Sequence, residues 1–133
     1  MKRSFLLPAL LLIASVALAA CGGGGQDAAN EAAVATPSAS LSIRAKSLKF
    51  DKKALVAPPN TTVTLHFENA DGGVLHNVAI YQDKSVKQKI ATTKTFAGIA
   101  SEDISFTSPE AGDYYFRCDV HPDMNGVFAT RAP

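Results

Sequence analysis

Cysteine and methionine are scarce in this chain. Its 133 residues include two cysteines, Cys21 and Cys118, and two methionines, Met1 and Met124. Exported proteins commonly join their cysteines in disulfides, but Cys21 lies in a sequence that resembles a processing site at which its thiol would be used. Cys118 is then a lone thiol and requires another explanation.

The chain also lacks a comfortable membrane span, which requires about 20 strongly apolar residues. Two positive residues precede a shorter apolar run over residues 5–20, which ends in small residues. This layout is typical of a secretory signal over residues 1–20. The junction LAAC resembles the lipobox of bacterial lipoproteins, which implies that Cys21 becomes an acylated N-terminus; an ordinary signal cut nearby is the alternative. We therefore expect a protein of the cell envelope, lipid-anchored to a membrane and facing the periplasm or the cell exterior.

Neither sign of charge dominates the sequence. Lys and Arg number 13 against 12 Asp and Glu, a formal net charge of +1 that becomes −1 once the two positive residues of the signal are removed. Nucleic-acid binding calls for a strongly basic face, so we expect no nucleic-acid partner. With 47% hydrophobic residues the chain has room for one modest globular domain with a real core, and we expect a monomer.

Residues 21–40 and 41–133 differ in composition. After Cys21, the stretch GGGGQDAANEAAVATPSAS predicts a flexible linker, because its alanines are too small to define an apolar stripe. From residue 41 onward, short alternating runs separated by Pro, Gly, Asn and Asp are typical of antiparallel strands. The predicted strands are LSIRAK, TTVTLHFEN, VLHNVAIY, EDISFTS, DYYFRCDV and GVFATRA. The sequence therefore predicts an all-β sandwich or small barrel over 41–133, with a loop or a helical turn in the unclear segment 82–100.

Strand alternation separates two of the three histidines. In TTVTLHFE, Val63, Leu65 and Phe67 share one face and His66 lies on the other, so we expect His66 at the surface. In VLHNVAIY, His76 shares a face with the apolar residues of its strand and is expected to point inward. A hydrogen-bonded core histidine is the alternative interpretation of His76 taken alone.

The segment CDVHPDM contains further residues that could bind a metal together with this inward histidine. Alternation along DYYFRCDV places Cys118 on the inward face at the end of its strand, together with Val120. The chain then leaves the strand at a proline, so His121 and Met124 belong to a loop that can curl back over Cys118. Antiparallel sandwiches cluster loops from distant strands at one end, which can bring His76 to the same place.

Two imidazoles, a thiolate and a weak axial thioether form the ligand set of an electron-transferring copper site. Copper in both oxidation states tolerates this mixture of sulfur and nitrogen donors. Zinc also binds two histidines and a cysteine, but it gains little from Met124, and copper is therefore the better fit. Met124 as a mere core filler would leave the lone Cys118 and the inward His76 unexplained.

The segment GDYYFRCDVHPDMNGVF carries the strongest family resemblance. Its Cys-x2-His-x2-Met spacing followed by Asn-Gly is similar to the short ligand loop of amicyanin and other plastocyanin-like proteins, and LHNVAIY is similar to the strand that starts at their first copper histidine. Over the whole predicted domain the chain thus resembles the cupredoxins, small blue copper proteins with a Greek-key β-sandwich or barrel. The resemblance implies one copper, cycling between Cu(I) and Cu(II), with His76, Cys118 and His121 as equatorial ligands and Met124 as the axial ligand. It also implies that Asn77 joins the ligand loops through hydrogen bonds.

Two aspartates depart from the family pattern. Asp119 follows the cysteine, where Ser or Thr is usual, and we expect it to alter the hydrogen bonds near the thiolate. Asp123 replaces an apolar residue, and with Asp71 of the Asp-Gly-Gly turn it is expected to make the rim beside His121 acidic. The loop has no second cysteine, so we expect a mononuclear site.

We interpret the chain as a membrane-anchored electron carrier and not as an enzyme, with redox partners such as a c-type cytochrome or an oxidase. A periplasmic copper-binding or trafficking protein is the alternative, but such proteins favour exposed Met and His clusters, and Met124 is the only methionine after the signal. A copper enzyme needs an open coordination position or a further metal, and the sequence has no second histidine cluster. A metal-free adhesion module would leave Cys118 unexplained.

Overall fold

The computed structural model describes residues 24–133, which form one helix and eleven strands. The helix is α1 (Gly24–Val34). The strands are β1 (Ser40–Lys46), β2 (Lys49–Phe50), β3 (Ala54–Ala57), β4 (Thr62–Asn69), β5 (Leu75–His76), β6 (Ala79–Tyr81), β7 (Lys89–Thr92), β8 (Phe96–Ala97), β9 (Ala100–Thr107), β10 (Gly112–Arg117) and β11 (Asn125–Thr130). The predicted signal over 1–20 and the predicted lipid site at Cys21 lie outside the described residues.

Two sheets form the sandwich. One has the strand order β2-β1-β4-β9, the other has the order β3-β11-β10-β6-β7, and a small third sheet pairs β5 with β8. Along β4, alternation is strict: Val63, Leu65 and Phe67 are fully buried, while His66 is exposed. Phe116 of β10 and Phe128 of β11 pack into the same core from the facing sheet. The prediction of an all-β sandwich, with this core face and with His66 at the surface, is confirmed.

Four short strands, β2, β3, β7 and β8, lie where the sequence pattern did not indicate them. All four residues of β3 are buried, because the strand is covered on both faces and therefore shows no alternation. The segment 82–100 contains β7 and β8 and no helical turn. β7 forms because it pairs with β6, where Ala91 of β7 lies opposite Ile80. The sequence of β7 alone does not indicate this pairing. The predicted strand VLHNVAIY is also divided, into β5 and β6.

Helix α1 lies on the outer face of the five-stranded sheet, which differs from the flexible linker predicted over residues 21–40. Ala28 and Ala32, one turn apart, are each 3% exposed. Ala32 packs with the outward-facing residues of β3 and β11, which are Ala54, Val56 and Ala129. Alanine suffices for this contact because a small side chain lets the helix approach the sheet closely. Among the described residues, no helix is both long and apolar enough to cross a bilayer.

Candidate metal centre

The pairing of β6 with β10 brings the two halves of the site together. These strands are antiparallel with Arg117 opposite Ala79, so continuing this register places Cys118 and Asp119 beside Val78 and Asn77. His76 ends β5 just before this point, and Cys118 follows the last residue of β10. The strand ends thus deliver His76 and Cys118 to the same end of the sandwich, as the sequence predicted.

Three donor atoms converge there. The Cys118 Sγ lies 3.7 Å from the His76 Nδ1 and 3.9 Å from the His121 Nδ1. The two Nδ1 atoms are 3.2 Å apart. His76 and Cys118 are fully buried, whereas His121 is partly exposed. His66, the third histidine, stays on the outside of β4 and takes no part.

The loop from Cys118 to Met124 is closed by its own backbone. The Cys118 N–H donates to the Met124 carbonyl at 2.8 Å, and the Met124 N–H donates to the His121 carbonyl at 2.9 Å. The amide of Asn125 donates to the carbonyl of Pro122 at 2.9 Å and so braces the loop from outside. These bonds turn the chain back over Cys118, and Met124 is 3% exposed in the same core cluster. The predicted curl of this loop is confirmed.

A carboxylate fixes the far side of the buried histidine. The Asp71 Oδ2 lies 2.9 Å from the His76 Nε2. An ionised carboxylate only accepts hydrogen bonds, so Nε2 carries the proton and Nδ1 is left with a free lone pair facing Cys118. Hydrogen bonds from the backbone N–H of Leu48 and of Ser47 lower the pKa of Asp71, which keeps it ionised.

Asp119 is the centre of a second network. Its carboxylate accepts hydrogen bonds at 2.7–3.3 Å from Tyr81, Lys89, Arg117 and Asn77. Its backbone N–H also donates to the Asn77 Oδ1 at 2.8 Å. Partial burial raises the pKa of Asp119, but the hydrogen bonds outweigh it and hold the pKa at about 2. The carboxylate therefore stays charged at neutral pH, and it ties the loop after Cys118 to β6 and β7.

The structure corrects the sequence prediction for Asp71 and shows the hydrogen-bond partners of Asn77. Asp71 was expected on an acidic rim, but its side chain is 13% exposed and is bound to His76. The sequence predicts the Asp-Gly-Gly turn, but nothing in it indicates that the carboxylate points inward. Asn77 joins the segment after His76 to the segment after Cys118 through its hydrogen bonds with the carboxylate and the backbone N–H of Asp119.

The surface beside His121 includes exposed apolar side chains. Leu75 and Val120, the sequence neighbours of His76 and His121, are 49% and 43% exposed. Val120 was expected to point inward with Cys118, but it lies beyond the end of β10, where strand alternation no longer applies. Asp123 is exposed beside this surface.

The chain matches the family of the cupredoxin-like domain over residues 9–129. Auracyanin-A of Chloroflexus aurantiacus is 26% identical in an alignment 147 positions long that covers 89% of this chain and 91% of the relative. A structure of auracyanin A, described as a "blue" copper protein, superposes with a TM-score of 0.64 at 22% identity and covers 72% of this chain and 100% of that one.

Two further solved structures share the fold. An auracyanin from Roseiflexus castenholzii has a TM-score of 0.68 at 26% identity, covering 73% of this chain and 100% of its own. Amicyanin from Paracoccus versutus has a TM-score of 0.52 at 22% identity, covering 75% and 89%. Because the family match spans most of the sequence and the sandwich superposes on these proteins, the chain belongs to the cupredoxin-like domain family.

Proposed function

We propose that the protein is a mononuclear type 1 copper carrier that transfers single electrons between other redox proteins. The observation that supports this proposal is the spacing of the three donor atoms. Metal bonds of about 2.0 Å to nitrogen and 2.3 Å to sulfur, at 120°, place two nitrogens about 3.5 Å apart and a nitrogen and a sulfur about 3.7 Å apart. In the structure, the two histidine Nδ1 atoms are 3.2 Å apart. The Cys118 Sγ lies 3.7 Å from the Nδ1 of His76 and 3.9 Å from the Nδ1 of His121.

The donor set favours copper, and its burial favours electron transfer over catalysis. A thiolate and two imidazoles with Met124 as a weak axial donor suit copper in both oxidation states. Cys118 and His76 are inaccessible to solvent, so a substrate or water has no route to them. The loops that carry the donors are held by backbone hydrogen bonds and by the Asp119 network, so little rearrangement accompanies a change of charge.

The visible and EPR spectra of the copper-loaded protein test the proposal. We expect an intense thiolate-to-copper charge-transfer band and a narrow copper hyperfine splitting. A colourless, EPR-silent complex that resists oxidation would instead favour the alternative function, periplasmic copper binding or trafficking.

Partners are proposed to dock on the apolar surface beside His121. This histidine is the partly exposed member of the donor set, so its edge gives an electron the shortest route to the exterior. The proposed partners are redox proteins such as a c-type cytochrome or an oxidase. Asp123 is the acidic residue that stands exposed on this loop, and it favours a basic partner.

Replacing Asp123 with lysine should slow electron transfer to a basic cytochrome c without changing the visible spectrum. Reversing one charge about 7 Å from a partner charge changes the interaction in water by about 1 kcal/mol, or roughly fivefold in rate at low salt. Stopped-flow rates over a salt series measure the effect, which should fade as salt screens the charges. The matched control is Glu110→Lys, the same charge change near the start of β10 at the opposite end of the sandwich. Equal rates for both variants and the unaltered protein would place docking elsewhere.

We also propose that residues 1–20 are a signal peptide, that residues 41–133 form the cupredoxin domain, and that lipid on Cys21 holds the protein to a membrane of the cell envelope. Cys21→Ser should move the protein from the membrane fraction to the soluble fraction and leave its copper spectrum unchanged. Each buried methylene of an acyl chain contributes about 0.8 kcal/mol, so several chains anchor the protein stably. Fractionation and mass spectrometry of the N-terminus measure this. A variant that remains in the membrane fraction would contradict the lipid anchor.

A further inference from the structure

We propose that Asp71 is a positioning residue that fixes the His76 ring and, through it, sets the reduction potential of the proposed copper site. The inference rests on the proposed function, and it concerns a carboxylate outside the predicted set of copper ligands. The contact that carries it is the 2.9 Å hydrogen bond between the Asp71 Oδ2 and the His76 Nε2. His76 is fully buried, so water does not replace this partner.

The Asp71 carboxylate is held from the other side by a strained turn. Ser47 and Leu48 are the two central residues of the β1–β2 hairpin, in which Lys46 pairs with Lys49. Both have left-handed backbone conformations, with φ of 53° and 57°, and turns of this type favour Asn-Gly. Their N–H groups donate to the Asp71 carboxylate at 2.5 and 3.0 Å. A strained turn that presents two donors to one carboxylate indicates that the position of this carboxylate is important for function.

A buried amide orients the backbone of Asp71. The Asn69 Oδ1 accepts the Asp71 N–H at 3.0 Å. The Asn69 Nδ2 donates to the carbonyls of Val74 and Phe96 at 2.9 and 2.8 Å. Asn69 has no exposed surface. The segment between β4 and β5 is thus tied at both ends, and the Asp71 side chain is aimed at His76.

The chemical consequence concerns both nitrogens of the ring. A carboxylate on Nε2–H fixes the tautomer that leaves Nδ1 free, and its negative charge makes Nδ1 a stronger donor. A stronger donor favours Cu(II) over Cu(I), so Asp71 lowers the reduction potential. The two N–H groups of the turn share the same carboxylate, and they limit how much negative charge the ring receives.

The test is Asp71→Asn, which removes the charge and keeps the size of the side chain. We expect the Cu(II) affinity to fall about 10- to 100-fold, as is typical when the partner of a ligating histidine is lost. The Cu(I) affinity should fall less. Each tenfold difference between the two losses raises the potential by about 59 mV for one electron. Voltammetry and competition titrations with each oxidation state measure these shifts.

Asp103→Asn is the matched control. The Asp103 Oδ1 lies 2.6 Å from the His66 Nδ1 on the outer face of the sandwich. This variant therefore removes one carboxylate from an Asp–His pair that lies away from the proposed copper site. Its potential and affinities should equal those of the unaltered protein. If Asp71→Asn lowers only the unfolding temperature of the copper-free protein and leaves the potential and both affinities unchanged, Asp71 merely braces the turn and the proposal is wrong.

The His76 tautomer separates this proposal from the function on which it rests. In the metal-free protein, ¹⁵N NMR should show the proton of His76 on Nε2, whether or not copper binds later and whether or not the Asp71 variant folds. A proton on Nδ1 would overturn the role of Asp71. A colourless copper complex with the proton on Nε2 would overturn the proposed function and leave the positioning of the ring intact.

Discussion

Cys118→Ser should abolish the charge-transfer band completely while the domain still folds. The band requires a sulfur-to-copper bond, and a serine hydroxyl is a hard donor that does not replace thiolate. The sandwich does not depend on this residue, because its core is formed by residues of both sheets, among them Val63, Leu65, Phe67, Val78, Ile80, Phe116 and Phe128. The absorption spectrum with copper and the thermal unfolding of the copper-free protein measure the two effects.

The unfolding temperature measures how much stability this substitution costs. A buried hydroxyl without a partner costs about 1–3 kcal/mol, but the Nδ1 atoms of His76 and His121, 3.7 and 3.9 Å from the Cys118 Sγ, are near enough to serve as acceptors after a small shift. We therefore expect a loss near 1 kcal/mol, which corresponds to a decrease of about 4–8 °C in a domain of this size. A chain that fails to fold would show that Cys118 belongs to the essential core. A variant that keeps its blue colour would exclude Cys118 as a ligand.

Met124→Leu should keep the colour and raise the reduction potential. Leucine has nearly the volume of methionine but no sulfur, so a weak donor that favours Cu(II) is lost. A tenfold loss of Cu(II) affinity relative to Cu(I) corresponds to about 59 mV. Voltammetry of the copper-loaded variant measures the shift.

Stability separates this ligand effect from a packing effect. Met124 is 3% exposed within the core cluster, and exchange of Met for Leu at a buried position usually costs less than about 1.5 kcal/mol. Chemical unfolding of the copper-free variant should stay within that limit. An unchanged potential would mean that the Met124 sulfur is not the axial donor.

Alternation identified the residues whose environment differs between the two faces of a strand. It placed His66 outside and His76 and Cys118 inside, because β4, β5 and the end of β10 each have one face toward the core. It failed for β3, which is covered on both faces. The helix α1 was not predicted either, because its contact with the sheet depends on the small size of Ala28 and Ala32.

The partners of the site could not be predicted in the same way. Asp71 is aimed at His76 by the β1–β2 turn, more than twenty positions earlier in the chain. Lys89 and Tyr81 reach Asp119 from strands that the sequence did not fully indicate. Such contacts follow from the pairing of distant strands, which periodicity within one strand does not contain.

The docking of α1 changes how the protein would move on a membrane. Gly22 and Gly23 are the two residues between Cys21 and the first helical residue. An extended chain spans at most about 3.6 Å per residue, so a lipid anchor on Cys21 would lie at most about 11 Å from the helix, whereas an unstructured linker over the whole segment would reach roughly 25 Å. With lipid on Cys21, the domain would rest against the bilayer in a restricted orientation. Its encounters with membrane-bound partners would then take place by lateral diffusion at a high effective concentration, and soluble partners would approach from the half of the molecule that faces away from the lipid.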